Sequence, residues 1–192
     1  MTVDFNMNRI INPEIGKAFA VRSLNLKQLS LSYLVDANDF FKACSQTWTW
    51  QHLQCLALTS PILRSTESHR EISTLLSIAG ISVLQMPRLH TFALWNGTQG
   101  NACAFLYCMD QYSAQLTWRS TWDLELRPGV VKIWEQVAFK LHSTSLILRK
   151  EAIRSNPKTH GDAIHLLNLP PACQVVTPAS LWQIRKEGQW SL

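Results

Sequence analysis

The stretch SHREISTLLSIAGISVLQMPRLHTFALW, residues 68–95, reads in one pass as a helix, a turn and a buried strand. Ser68 is placed to cap the helix and Glu71 to reach back to it, the two halves of a capping box. Ile72, Leu75, Leu76, Ala79 and Val83 then recur at the steps that put them on one face of a helix. Pro87 has no amide hydrogen to continue the ladder and ends it. Leu89, Phe92 and Leu94 follow with the spacing L-x-x-L-x-L, and the strand is expected to stop at a tight Asn96-Gly97 turn.

The same spacing occurs twice upstream, at Leu26, Leu29 and Leu31 and again at Leu53, Leu56 and Leu58. The central residues of the three copies, Leu29, Leu56 and Phe92, fall 27 and 36 residues apart. Leucine-rich repeats run roughly 20–29 residues with a strand and a helix in each, so the longer unit must hold an insertion, most simply residues 60–67. The expected fold class is α/β. A short, irregular leucine-rich-repeat-like helix-strand solenoid over residues 1–96 continues into an antiparallel or mixed sheet with C-terminal helices over residues 97–192, as one continuous domain.

Flanking elements follow from caps and periodicity. Asn12-Pro13-Glu14 starts a first helix, residues 28–33 form the first strand, and Asp36 or Asn38 opens a second helix that turns Phe40, Phe41 and Cys44 inward. Residues 102–107 form a short strand. Leu116, Trp118, Ser120, Trp122, Leu124 and Leu126 alternate with Thr117, Arg119, Thr121, Asp123 and Glu125, which predicts one long strand with a buried and a wet face. Arg127-Pro128 opens a helix striped by Val130, Trp134, Val137 and Leu141. A strand near residues 145–149, a helix over His160 to Leu167 and a last helix from Thr177-Pro178 to Lys186, docked by Leu181 and Trp182, complete the chain.

With 192 residues, 46% of them apolar and 16% charged, the composition is globular. No apolar run reaches the roughly 20 residues that cross a bilayer, and residues 1–12 lack the basic start and apolar core of a signal peptide, so no membrane partner is expected and the chain is placed inside the cell, in cytoplasm or nucleus. The five cysteines are odd in number and lack metal-type pairing, which fits reduced thiols rather than a disulfide scaffold. The net charge of +5 is concentrated: nine Lys or Arg from Arg127 onward face four acids, while the rest of the chain is balanced. A solvated face is the plainer meaning. An anion-facing surface at Arg149, Lys150, Arg154 and Lys158, for nucleic acid or an acidic protein, is the functional one.

Candidate chemistry is sparse. Cys103 and Cys108 flank one strand with His90 and Asp110 nearby, yet metal sites bring ligands in close pairs and a second pair is missing. A cysteine nucleophile would need a base, from His142, His160 or His165, that only folding could supply. Asp123 and Glu125 share a strand face with Arg119 and Thr117, which balances them. Gly97 and Gly100 lack the Lys-Ser and helix start of a phosphate loop. No catalytic, cofactor-binding or metal residue is therefore assigned, and no cofactor. Among the eight tryptophans, Trp50 and Trp95 stand at element ends, where half-exposed rings make good protein contacts, and they are the expected recognition patch.

Ser32-Tyr33-Leu34-Val35-Asp36-Ala37 with Phe40-Phe41, then Leu56-Ala57-Leu58-Thr59-Ser60, Met86-Pro87, Leu94-Trp95-Asn96-Gly97 and Ser180-Leu181-Trp182-Gln183-Ile184-Arg185 resemble the C-terminal part of a family of fungal F-box-like proteins. That part is an uncharacterised leucine-rich-repeat-like region, and the likeness runs from about Gly16 onward. The resemblance implies a repeat region that selects a target, with an F-box upstream that binds the Skp adaptor of a ubiquitin ligase. No Leu-Pro-x-Glu start with an apolar helical run precedes the first repeat, so adaptor docking lacks its usual element here. The expected function is a non-catalytic protein-interaction module. The alternatives are a nucleic-acid-associated protein using the basic C-terminal part and, last, a cysteine-dependent enzyme. Because a terminal repeat needs a cap, the edge of the first strand is expected to be open, or loosely covered by residues 2–11, and to invite self-association.

Overall fold

The computed structural model describes residues 13–171. Its elements run α1 (Pro13–Ser23), β1 (Gln28–Asp36), α2 (Ala37–Ala43), β2 (Cys55–Thr59), α3 (His69–Val83), β3 (Thr91–Thr98), β4 (Asn101–Met109), β5 (Ala114–Ser120), α4 (Pro128–His142), β6 (Leu146–Ala152) and α5 (His160–Leu167). The fold is α/β, built on one six-stranded mixed sheet in the order β1-β2-β3-β4-β5-β6. β1, β2 and β3 are parallel neighbours and β5 pairs parallel with β6, whereas β4 is antiparallel to both β3 and β5.

The three L-x-x-L-x-L copies lie in register. Leu29 pairs with Leu56 and Leu56 with Phe92, while Leu31 pairs with Leu58 and Leu58 with Leu94. Both rows cross the whole sheet. The first continues through Tyr107 and Leu116 to Leu148, the second through Phe105 and Trp118 to Lys150. The side chains of these rows face α1 to α4, and with Phe40, Phe41, Leu75, Leu76 and Trp134 they make the larger core. Trp134 sits at its middle, with ring centroids 5.2, 5.1 and 5.4 Å from those of Phe92, Phe105 and Tyr107. Its Nε1 donates to the Leu76 carbonyl at 3.1 Å, which ties α4 to α3 without leaving a buried donor unmet. A smaller core on the opposite face joins Ala93, Trp95, Ala102 and Ala104 to Ala163, Ile164 and Leu167 of α5.

Several local expectations change in the folded chain. Ser68 caps α3, but its Oγ accepts from the Arg70 amide, one residue earlier than a capping box requires. The reciprocal box forms instead at α5, between Thr159 and Asp162. Asn96 and Gly97 are not a turn. Both lie within β3, and the β3–β4 hairpin turns at Gly100, whose φ of 74° is left-handed. Asn96 is buried with its Nδ2 donating to the Leu63 carbonyl, and a Cβ on Gly97 would stand 3.1 Å from the Ala163 Cβ, so that glycine serves the close approach of α5.

The long alternating strand is also shorter than its pattern. β5 ends at Ser120 opposite Cys103, and β4 reaches only two residues further, to Asn101, so Asp123 to Leu126 have no ladder to join. Trp118 and Leu124 are buried as expected, Trp122 is only partly so, and Asp123 and Glu125 are exposed. The expected last helix, Cys173 and residues 2–11 lie outside the described residues.

Candidate functional site

Trp50 and Trp95, expected as half-exposed rings, are both fully buried. Trp50 Nε1 donates to Ser23 Oγ at 2.7 Å and its amide to the Gln85 carbonyl, which fixes the strand approach beneath α1 and α3. Trp95 belongs to the smaller core, its ring edge-on to Tyr33 at 5.2 Å. Element ends are commonly surface, but here other segments close over both rings, and neither can present itself to a partner.

The free cysteines among the described residues are Cys44, Cys103 and Cys108. Burial pushes the Cys44 thiol up to about 12, raises Cys103 further against a weak hydrogen bond at Asn96, and raises Cys108 despite the opposing charge of Arg119. A thiol held that high supplies little thiolate near neutral pH. Cys55 departs from the reduced-thiol expectation, because it is disulfide-bonded. Among the described residues, no three His, Cys, Asp or Glu side chains gather at metal-binding distance.

Folding does gather polar groups at the carboxyl ends of β1 to β3. Tyr33, left-handed at φ 58°, donates its hydroxyl to the Gly97 carbonyl at 2.8 Å and accepts from the Gly97 amide at 3.0 Å. His160 Nδ1 lies 2.6 Å from the same carbonyl and its ring packs edge-on to Tyr33. Ser60 Oγ donates to Asp36 Oδ1, which also accepts from Asn38 as the cap of α2. These bonds answer one another and anchor α5 and the strand ends. At the amino ends, His142 Nε2 lies 2.9 Å from the Leu89 carbonyl, 5.6 Å ring-to-ring from His90.

What remains open is β6. It is the outer strand beside β5, and its residues are exposed on both faces, Ile147 at 42% and Leu148 at 49%. At the other end of the same rows β1 is also an outer strand, but its Leu29 and Leu31 are only 8% and 6% exposed beneath α1 and α2; residues 2–11, expected to cover its edge, lie outside the described residues. The four expected cations lie here: Arg149 and Lys150 on β6, Arg154 and Lys158 in the segment leading to α5, all exposed. Lys150 pairs with Asp123. Arg119, drawn down from β5, holds Glu151 at 2.7 Å and donates to the carbonyls of Leu167 and Asn168. Arg149, Arg154 and Lys158 form no ion pair among the described residues. The exposure of Ile147 and Leu148 has one signal in the sequence, an apolar run, Leu146-Ile147-Leu148, that passes straight into Arg149-Lys150 without alternation, as a buried strand would not.

Among the described residues no helix is long and apolar enough to cross a membrane. Residues 2–177 match the profile of a family of unknown function, DUF6546. No curated protein and no solved structure matches the chain.

Proposed function

Since the chain belongs to the DUF6546 family, whose function is not established, we propose from its own residues that it is a non-catalytic protein-interaction module. In this reading it is a short leucine-rich-repeat-like scaffold, related to the target-recognition part of F-box-like proteins. The observation that carries the reading is the pair of core rows that stay in register from β1 to β5 and then end at β6, half-exposed at Leu148 and charged at Lys150. Stacked helix-strand units bury one another, so an end unit with an apolar outer position has a surface suited to a neighbour. The raised thiols of Cys44, Cys103 and Cys108 weigh against the cysteine-dependent alternative.

A nucleic-acid role is the second reading, favoured by the exposed Arg149, Arg154 and Lys158, which form no ion pair among the described residues. Affinity capture of the tagged chain from its native cell, probed for the Skp adaptor and for any stable target, separates the two. A protein retained in fixed ratio through a high-salt wash is the expected result. Enrichment of nucleic acid that is lost steeply with salt would favour the second reading, and recovery of neither would remove support from both.

A further inference from the structure

We propose that β6 is a docking edge which takes an added strand from an acidic partner, a segment carrying two apolar residues beside two acidic ones. The inference rests on the interaction reading above and gives that reading a site and a partner chemistry.

An outer strand offers backbone donors and acceptors to another chain, and an extended peptide can extend the sheet there. The side chains of β6 state what such a peptide must carry. Leu148 and Lys150 continue the rows that face α1 to α4, while Ile147 and Arg149 lie on the opposite face beside Gln115 and Thr117. Along β6 the order is therefore apolar, apolar, cationic, cationic, with each kind present once on each face. A strand laid alongside in parallel meets this order with two apolar residues followed by two carboxylates, and an antiparallel strand meets it with the reverse order. Opposite charges set directly across a ladder attract, and like charges there repel.

The neighbouring acids leave the site positive. Glu151 is held by Arg119, and Asp123 by Lys150 only in a solvent-exposed pair that a carboxylate across the ladder can replace; Arg149 has no ion pair among the described residues, and Arg154 and Lys158 continue the same charge toward α5. A second copy of the chain is the poorer occupant. Its own β6 brings Arg149 and Lys150, and the one carboxylate on that strand, Glu151, is already engaged with Arg119. The opposite sheet edge differs, since Leu29 and Leu31 are covered there.

The full chain is titrated with two fluorescent extended peptides, one with a Val-Leu-Glu-Glu centre and one with a Val-Leu-Lys-Lys centre, by anisotropy at low salt. Hydrogen exchange at residues 147–150 is followed in parallel. The glutamate peptide is expected to bind about tenfold tighter than the lysine peptide and to slow exchange at residues 147–150. Arg149→Glu, a change at an exposed side chain whose fold is checked by circular dichroism, should reverse the preference. Equal binding of the two peptides, unchanged exchange, or indifference to Arg149→Glu overturns the proposal. A dimer in sedimentation that Arg149→Glu dissociates also overturns it, in favour of a second copy on this edge. If the chain and its Arg149→Glu variant capture the same cellular protein equally well while the peptides fail, the edge is rejected and the interaction reading stands. Failure of the unaltered chain to capture any protein counts against the interaction reading alone.

Discussion

At Gly80 the absence of a side chain sets how closely α3 and α4 approach. A Cβ built there would stand 2.5 Å from Ile133 Cγ2 and 3.1 Å from Trp134 Nε1. Alanine is the better helix former, but the Ile133 branch is stiff and the Trp134 ring is fixed on three aromatic neighbours. Overpacking of this kind costs about 1–3 kcal/mol, which exceeds the propensity gain of roughly 1 kcal/mol. Gly80→Ala should therefore lower the urea midpoint, and adding Ile133→Ala should cost less than the two single changes summed. His142 gives a second residue-scale prediction. Burial lowers its pKa from 6.5, with His90 adding to the shift and the Leu89 carbonyl opposing it. Its folded state thus binds a proton less readily than the unfolded chain, so its contribution is complete well above 6.5 and is lost as pH falls from there through the lowered folded value. Thermal midpoints measured across that window should drop, and His142→Gln should flatten the drop; an equal slope in both proteins would count against a role for this imidazole.

At the scale of the element, α5 is held at both ends by different means. The Thr159-Asp162 box caps its start and His160 grips the Gly97 carbonyl, while Arg119 binds the carbonyls of Leu167 and Asn168 at its close. A cation at the last turn also meets the negative end of the helix dipole. Arg119→Gln keeps a donor but loses the charge and the bond to Glu151. It is expected to cost about 1–3 kcal/mol and to speed amide exchange in residues 160–167 more than in α3. Uniform acceleration across both helices would mean that Arg119 supports the whole fold rather than α5. The span of α5 was readable from its periodicity, yet nothing local pointed to Arg119, 48 residues from Leu167.

At the scale of the whole molecule, protection should follow position in the sheet. β2, β3 and β4 are buried almost throughout, β1 is covered by α1 and α2 on one face, and β6 is exposed along most of its length. Opening that exposes few buried groups is the least costly, so amides at residues 56–58 should exchange most slowly, those at residues 29–31 faster, and those at residues 147–150 fastest. Protection of residues 147–150 equal to that of residues 56–58 in a monomer would show that β6 is not an open edge.

The sequence by itself determined which residues of the repeated strands and helical stripes turn inward and in what order the first half is built. The recurrence of Leu29, Leu56 and Phe92 was enough to align three parallel strands, since side chains of period two hold a strand's register wherever one face is buried. Helices α1 to α5 could be placed from caps, stripes and prolines for the same reason, that each signal acts over a turn or two of chain. Tertiary structure decided the rest. How far the alternating stretch past β5 can stay in the sheet depends on β4, which reaches only two residues beyond Cys103; whether Asn96-Gly97 turns or stays extended depends on α5, more than sixty residues later. Trp50 and Trp95 are buried by segments remote from them, and of the two outer strands, β1 and β6, it is β6 whose core-row side chains are exposed. Exposure is set by what covers a residue, and in this chain the covering elements come from far along the sequence.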